Sequence, residues 1–86
     1  MSYNILIADD ELDIVKMLAG FFSGKGYNVL TAANGIDTIK QAERKPDIIL
    51  LDINMPGLDG LTVCERIRYY VSCPMLFLTA RRGTQG

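Results

Sequence analysis

Among the 86 residues there is not one histidine. That absence excludes histidine nucleophiles, histidine general bases and histidine metal ligands. Any metal held here should be hard and bound through oxygen. Any phosphohistidine in a mechanism must sit on another protein. Cysteine is almost as scarce, with only Cys64 and Cys73. Their spacing fits no zinc pattern, and two such thiols are expected to be buried and inert. No basic run or stripe occurs, and the net charge is −1, so this segment is not expected to bind nucleic acid. No apolar run approaches the roughly 20 residues of a membrane span. Met1-Ser2-Tyr3-Asn4 shows no basic region leading into an apolar stretch, so no secretory signal is visible and a cytoplasmic chain is expected.

What is present is ordinary for a folded chain. Apolar residues make up 49% and charged residues 22%, which argues against disorder. The length allows one domain at most, and a chain this short is marginal alone.

The pattern alternates between two periods. Ile5-Leu6-Ile7-Ala8 is a continuous apolar run ending in acid, as expected of a strand buried on both faces. From Glu11, the residues Ile14, Val15, Leu18, Phe21 and Phe22 recur at helical spacing until Gly24 and Gly26. Val29 to Ala32 reads as a second strand and Asn34-Gly35 as a turn or cap. Ile36, Ile39 and Ala42 give a second helix with a narrow apolar face. Pro46 ends that region, and Asp47 to Leu51 is a third strand. After a loop rich in proline and glycine, Gly60 to about Tyr69 forms a third helix with Leu61, Cys64 and Ile67 on one face. Met75 to Leu78 is the last strand. The order βαβαβαβ predicts a parallel α/β sheet with right-handed crossovers. The tail, residues 82–86, reads as structureless beyond a domain of residues 1–81.

Asp9-Asp10 and Asp52 directly follow predicted strands, and Thr79 ends one. Ligands of an open parallel sheet bind beyond the carboxyl ends of its strands, where the strand order changes direction. If the first and third strands are neighbours, these groups meet in one crevice. Three carboxylates there repel one another, and a divalent cation relieves that conflict. All-oxygen ligation with retained waters points to Mg²⁺, or to Mn²⁺ as a substitute. Asp10 and Asp52 are expected as direct ligands, Asp9 directly or through water, and the Asn54 main-chain carbonyl as a further ligand. Each acid also has a plainer reading. An acidic pair after a strand serves equally well as a helix N-terminus, and a lone threonine at a strand end is usually structural.

The segments Asp9-Asp10-Glu11, Asp52-Ile53-Asn54-Met55-Pro56-Gly57-Leu58-Asp59-Gly60 and Leu78-Thr79-Ala80-Arg81 together resemble the receiver domain of bacterial two-component response regulators. The middle segment matches the family's D-x-x-M-P-x-x-D-G pattern in full, and the resemblance covers residues 3–81. It implies a flavodoxin-like, doubly wound sheet of strand order 2-1-3-4-5. It also implies phosphoryl transfer from a sensor histidine kinase to Asp52 with Mg²⁺. By position, Asp9 and Asp10 are the acidic pair, Asp52 the acceptor, Asn54 the carbonyl ligand and Thr79 the switch hydroxyl. Ala80 is the small residue that leaves room for the phosphoryl group. Such a module signals rather than acting as an enzyme. The Leu-Thr-Ala-Arg ending resembles regulators with a C-terminal winged-helix domain, and DNA contact is expected only through that domain. Haloacid dehalogenases also use an aspartate nucleophile, but their two aspartates stand one residue apart after the first strand. Here Asn54 takes the second position and the strand is the third.

The family carries a lysine at the end of a fifth strand. Lys16, Lys25, Lys40 and Lys45 stand on other segments. The expected sheet is therefore incomplete, of order 2-1-3-4, without the fourth helix, fifth strand and fifth helix. Without that lysine, oxyanion stabilisation falls by about 3 kcal/mol, on the scale of one preorganised donor. Phosphorylation is then expected to be slow or absent while metal binding survives. Met75 to Leu78 becomes an edge strand, and self-association through it, as a dimer, is expected.

Overall fold

The computed structural model describes residues 2–52, 55, 60–69 and 71–78. The elements are β1 (Asn4–Ala8), α1 (Leu12–Gly24), β2 (Asn28–Ala32), α2 (Gly35–Ala42), β3 (Ile48–Leu51), α3 (Gly60–Ile67) and β4 (Met75–Phe77). All strand pairs are parallel, and the sheet order is β2-β1-β3-β4, as the resemblance implies.

β1 is buried on both faces, as its unbroken apolar run requires. Leu6 and Ala8 enter one core with Ile49, Leu51, Val63 and Ile67, which places α2 and α3 on that side. Ile5 and Ile7 enter a second core with Leu50, covered by Val15, Leu18, Ala19 and Phe22 of α1. The alternation is the two-residue period of a strand, read against a helix on each face. Met55 is buried in the first core, so it packs rather than reacts.

The termini of α1 and α2 follow from local chemistry. At the end of α1, the Tyr27 N–H donates to the Phe22 carbonyl and the Gly26 N–H to that of Ser23, both at 3.0 Å. Gly26 has φ +94°, and the Phe22 and Tyr27 rings meet edge to face at 5.3 Å. This is a Schellman stop, in which a left-handed glycine lets the last carbonyls find donors. α2 begins at Asn34, whose side-chain oxygen accepts the Asp37 N–H at 2.8 Å.

Several expectations are corrected. Phe21 does not join the apolar face of α1; it is 57% exposed, because a step of 100° per residue lets only one of two adjacent phenylalanines face the sheet. Its ring stands edge-on to Phe22, with the Lys25 ammonium 5.2 Å from its centroid. Ile36 is also exposed, and the buried side of α2 is Gly35, Thr38 and Ala42, with Ile39 half-buried against the core. Thr38 can be buried because its hydroxyl donates to the Asn34 carbonyl at 2.7 Å. α3 stops at Ile67, and Arg68–Tyr69 form a turn. β4 ends at Phe77, although the Leu78 N–H still donates to the Leu51 carbonyl at 2.8 Å. Cys64 and Cys73 are free but only half-buried. Leu61's side chain lies outside the described part of α3. No helix among the described residues is long and apolar enough to cross a membrane.

Candidate metal and phosphoacceptor site

The register of the central strands places the acids. Ala8 pairs with Leu51 across β1 and β3. The ladder continues one residue further, with the Asp52 N–H donating to the Ala8 carbonyl at 2.8 Å and the Asp9 N–H to the Ala32 carbonyl at 3.0 Å. Asp9 and Asp52 therefore stand one residue beyond the strands, at neighbouring positions about 5 Å apart. β1 leads outward to β2 while β3 lies on its other side, so this is the place where the winding direction reverses.

One carboxylate oxygen from each of Asp9, Asp10 and Asp52 lies within 4.8 Å of the other two. Asp9 and Asp52 are fully buried and Asp10 is half-buried. Asp10 is therefore the member that meets solvent. Asp9 Oδ1 accepts the Glu11 N–H at 2.9 Å, so the helix-start reading of the acidic pair is partly realised as well. α1 and α2 both begin at this edge, and their positive dipole ends favour negative charge there.

The donor set is chemically uniform: three carboxylates, with no nitrogen or sulfur ligand. Such a set fits a hard divalent cation of the Mg²⁺ type, which takes a few carboxylate oxygens and keeps several waters. Oxygens this close, two of them on buried side chains, are near enough for one ion to reach all three. Asn54, Thr79 and Ala80 lie outside the described residues.

The Glu11 amide was not among the residues expected at the site. Its signal was available: an aspartate two residues before a helix N-cap readily accepts from the N–H two positions on. Lys45 was not anticipated either. It has φ +56°, a left-handed position that nothing in Arg44-Lys45-Pro46 announces. At the opposite end of β3, the Asn4 N–H donates to Asp47 Oδ2 at 2.7 Å and the Asp47 N–H to the Asn4 carbonyl at 2.7 Å, locking the starts of β1 and β3 together.

With a parallel 2-1-3-4 sheet and an acid trio at its switch point, the class is defined: residues 5–85 match the response regulator receiver domain, and the chain belongs to that family. Receiver domains are signalling modules. Among curated proteins the chain is 43% identical over 83 residues to the alkaline phosphatase synthesis transcriptional regulatory protein PhoP of Bacillus subtilis, covering 94% of this chain and 35% of that protein. The chain thus spans about a third of the length of the curated relatives it matches. Among solved structures it is similar to the receiver domain of the hybrid histidine kinase CckA (TM-score 0.75, 28% identity), covering 95% of this chain and 96% of that one. It is also similar to the receiver domain of a sensor histidine kinase from Pseudomonas aeruginosa with a magnesium ion coordinated in the active site cleft. That match has a TM-score of 0.81 at 29% identity and covers 93% of this chain and 69% of the other.

Proposed function

We propose that this chain accepts a phosphoryl group on Asp52 from the phosphohistidine of a sensor histidine kinase, in a Mg²⁺-dependent transfer. The observation that carries the reading is the approach of the Asp9, Asp10 and Asp52 carboxylates to within 4.8 Å at the switch point. Family membership and the magnesium-bearing cleft of the similar receiver domain support it. Asp10 and Asp52 serve as direct ligands, Asp9 directly or through water, and the Asn54 carbonyl completes the protein's share. Mn²⁺ substitutes for Mg²⁺.

A carboxylate oxygen of Asp52 attacks phosphorus, the P–N bond to the donor imidazole breaks, and the imidazole nitrogen leaves with the bonding electrons. Mg²⁺ held by Asp10 and Asp52 would neutralise charge on the phosphoryl oxygens, so the protein's work is positioning. The Asp52 N–H bond to β1 fixes the nucleophile's backbone. Asp10, the half-buried member, offers the approach from solvent. The Thr79 hydroxyl donates to a phosphoryl oxygen, and Ala80 leaves space for it. The protein is cytoplasmic, and residues 1–81 form its receiver unit. Regulation of transcription is the role named for the longer relative from Bacillus subtilis, and contact with DNA would need a C-terminal DNA-binding domain.

Incubation with Mg²⁺ and a small phosphodonor, read by intact mass, tests this. One phosphoryl adduct should form, and should be absent without Mg²⁺ and in Asp52→Asn.

A second reading has its own observation. β4 is the outer strand of the described sheet, with Leu76 and Phe77 53% and 46% exposed. A hydrophobic edge of this kind invites pairing with another chain, and in this reading the chain self-associates through β4, as a dimer, without accepting phosphate. The absence of any adduct, under conditions that label a longer receiver domain, selects this reading.

A further inference from the structure

We infer that the main-chain N–H of Glu11 is a positioning group for the cation site, and that it ties cation occupancy to the first turn of α1. The inference rests on the reading of Asp9, Asp10 and Asp52 as a cation site, and deepens it.

Glu11 is the N-cap residue of α1, with φ −91° and ψ 109°, and its side chain makes no capping bond. Its backbone works in both directions. The carbonyl accepts the Val15 N–H at 3.1 Å, the first rung of the helix. The N–H donates to Asp9 Oδ1 at 2.9 Å. One residue thus joins the helix ladder to a buried carboxylate of the trio.

Asp9 is fixed at its other end too, since its own N–H donates to Ala32 of β2 at 3.0 Å. With the backbone held by the sheet and one carboxylate oxygen held by Glu11, covalent geometry sets the position of the second oxygen. A carboxylate with no solvent contact gains much from such a donor, because no water can replace it. Its orientation is then ready before a cation arrives, and little rotamer freedom remains to be lost on binding.

The coupling runs both ways. A cation drawn to Asp9 holds the carboxylate still and so strengthens the Glu11 bond, which steadies the entry to α1. A loosened entry, conversely, weakens the site. Groups that hold a metal's ligands in place typically change affinity about tenfold or more when removed.

Proline removes the N–H, and it also restricts the backbone of Asp10 before it, so the amide exchange of the unmodified chain is read beside it. Glu11→Pro deletes the N–H at an extended position whose φ of −91° must tighten toward the roughly −65° that proline requires. Leu12→Pro is the control: it stands at the first helical position, where proline is favoured, and it needs an extended residue before it, which Glu11 already is. Calorimetric titration with Mg²⁺ should give about tenfold weaker binding in Glu11→Pro and unchanged binding in Leu12→Pro. Amide exchange in the unmodified chain should show the Glu11 N–H protected without Mg²⁺ and slowed further by it.

Equal Mg²⁺ affinity in the unmodified chain and Glu11→Pro overturns the inference and leaves the cation site standing. No Mg²⁺ binding to the unmodified chain overturns the cation site itself. If Glu11→Pro does not fold, the exchange data decide: a Glu11 amide that exchanges at the free-peptide rate, or that ignores saturating Mg²⁺, ends the proposal.

Discussion

The main-chain N–H of Asp52 donates to the carbonyl of Ala8 at 2.8 Å, so among the described residues the ladder between β3 and β1 extends to the proposed phosphoacceptor. That rung uses main-chain atoms only, so an isosteric change of the side chain leaves it in place. Two unit charges about 4 Å apart repel by about 4 kcal/mol at the effective dielectric of protein sites, so removing one should be felt. Asp52→Asn should raise the melting temperature of the metal-free chain. Mg²⁺ should stabilise the unmodified chain by about 2.7 kcal/mol when present at 100 times its dissociation constant, and stabilise the variant less. A melting temperature unmoved by millimolar Mg²⁺ contradicts the metal site.

Gly26 is the αL residue of the α1 stop, at φ +94° with open space around its Cβ position. The cost of a side chain there is conformational rather than steric contact. Gly26→Ala should destabilise the fold by about 1 kcal/mol, measured by urea denaturation at an unchanged slope.

Asn34 caps α2 through its bond from the Asp37 N–H. Asn34→Ala should cost about 1 kcal/mol by the same denaturation, and Asn34→Asp should retain most of the cap.

Ile67 is fully buried where α3 meets the sheet. Ile67→Ala should cost about 3 kcal/mol, a large share of the stability of so small a chain. Circular dichroism should show a melting temperature well below that of Asn34→Ala.

Burial pushes the Cys73 thiol above its ordinary value of 9.0, and Asp47 adds to the rise, while its backbone hydrogen bond and Arg68 pull it down. The neutral thiol is the form the fold favours. Its contribution to stability is in place below the ordinary value and is lost as pH rises through the raised one. Alkylation of Cys73 should be slow at pH 8 and should still be rising with pH above 9.0, where a thiol of ordinary value begins to level off; a rate at Cys73 that levels off below pH 9 would contradict this.

Much of this arrangement was legible in the sequence because it rests on continuous patterns. The four-residue apolar runs before Asp9 and Asp52 fixed β1 and β3, and the family's motif fixed their neighbourhood. What was not legible depends on rotation and on main-chain bonds. Phe21 and Phe22 are equally apolar, and only the phase of α1 decides that Phe22 is the one half-buried against the core. Thr38 displaces Ile36 from the buried face of α2 because a backbone carbonyl is within reach of its hydroxyl. The Glu11 bond to Asp9 involves an amide that every residue but proline carries, so composition cannot announce it.

The central claim concerns which carboxylate reacts. After incubation with Mg²⁺ and a small phosphodonor, borohydride reduction of any acyl phosphate and peptide mapping would locate it. The account predicts a modified residue at Asp52 alone, with Asp9 and Asp10 unmodified. Modification at either of those two, or none at Asp52 under conditions that label a longer receiver domain, would contradict it.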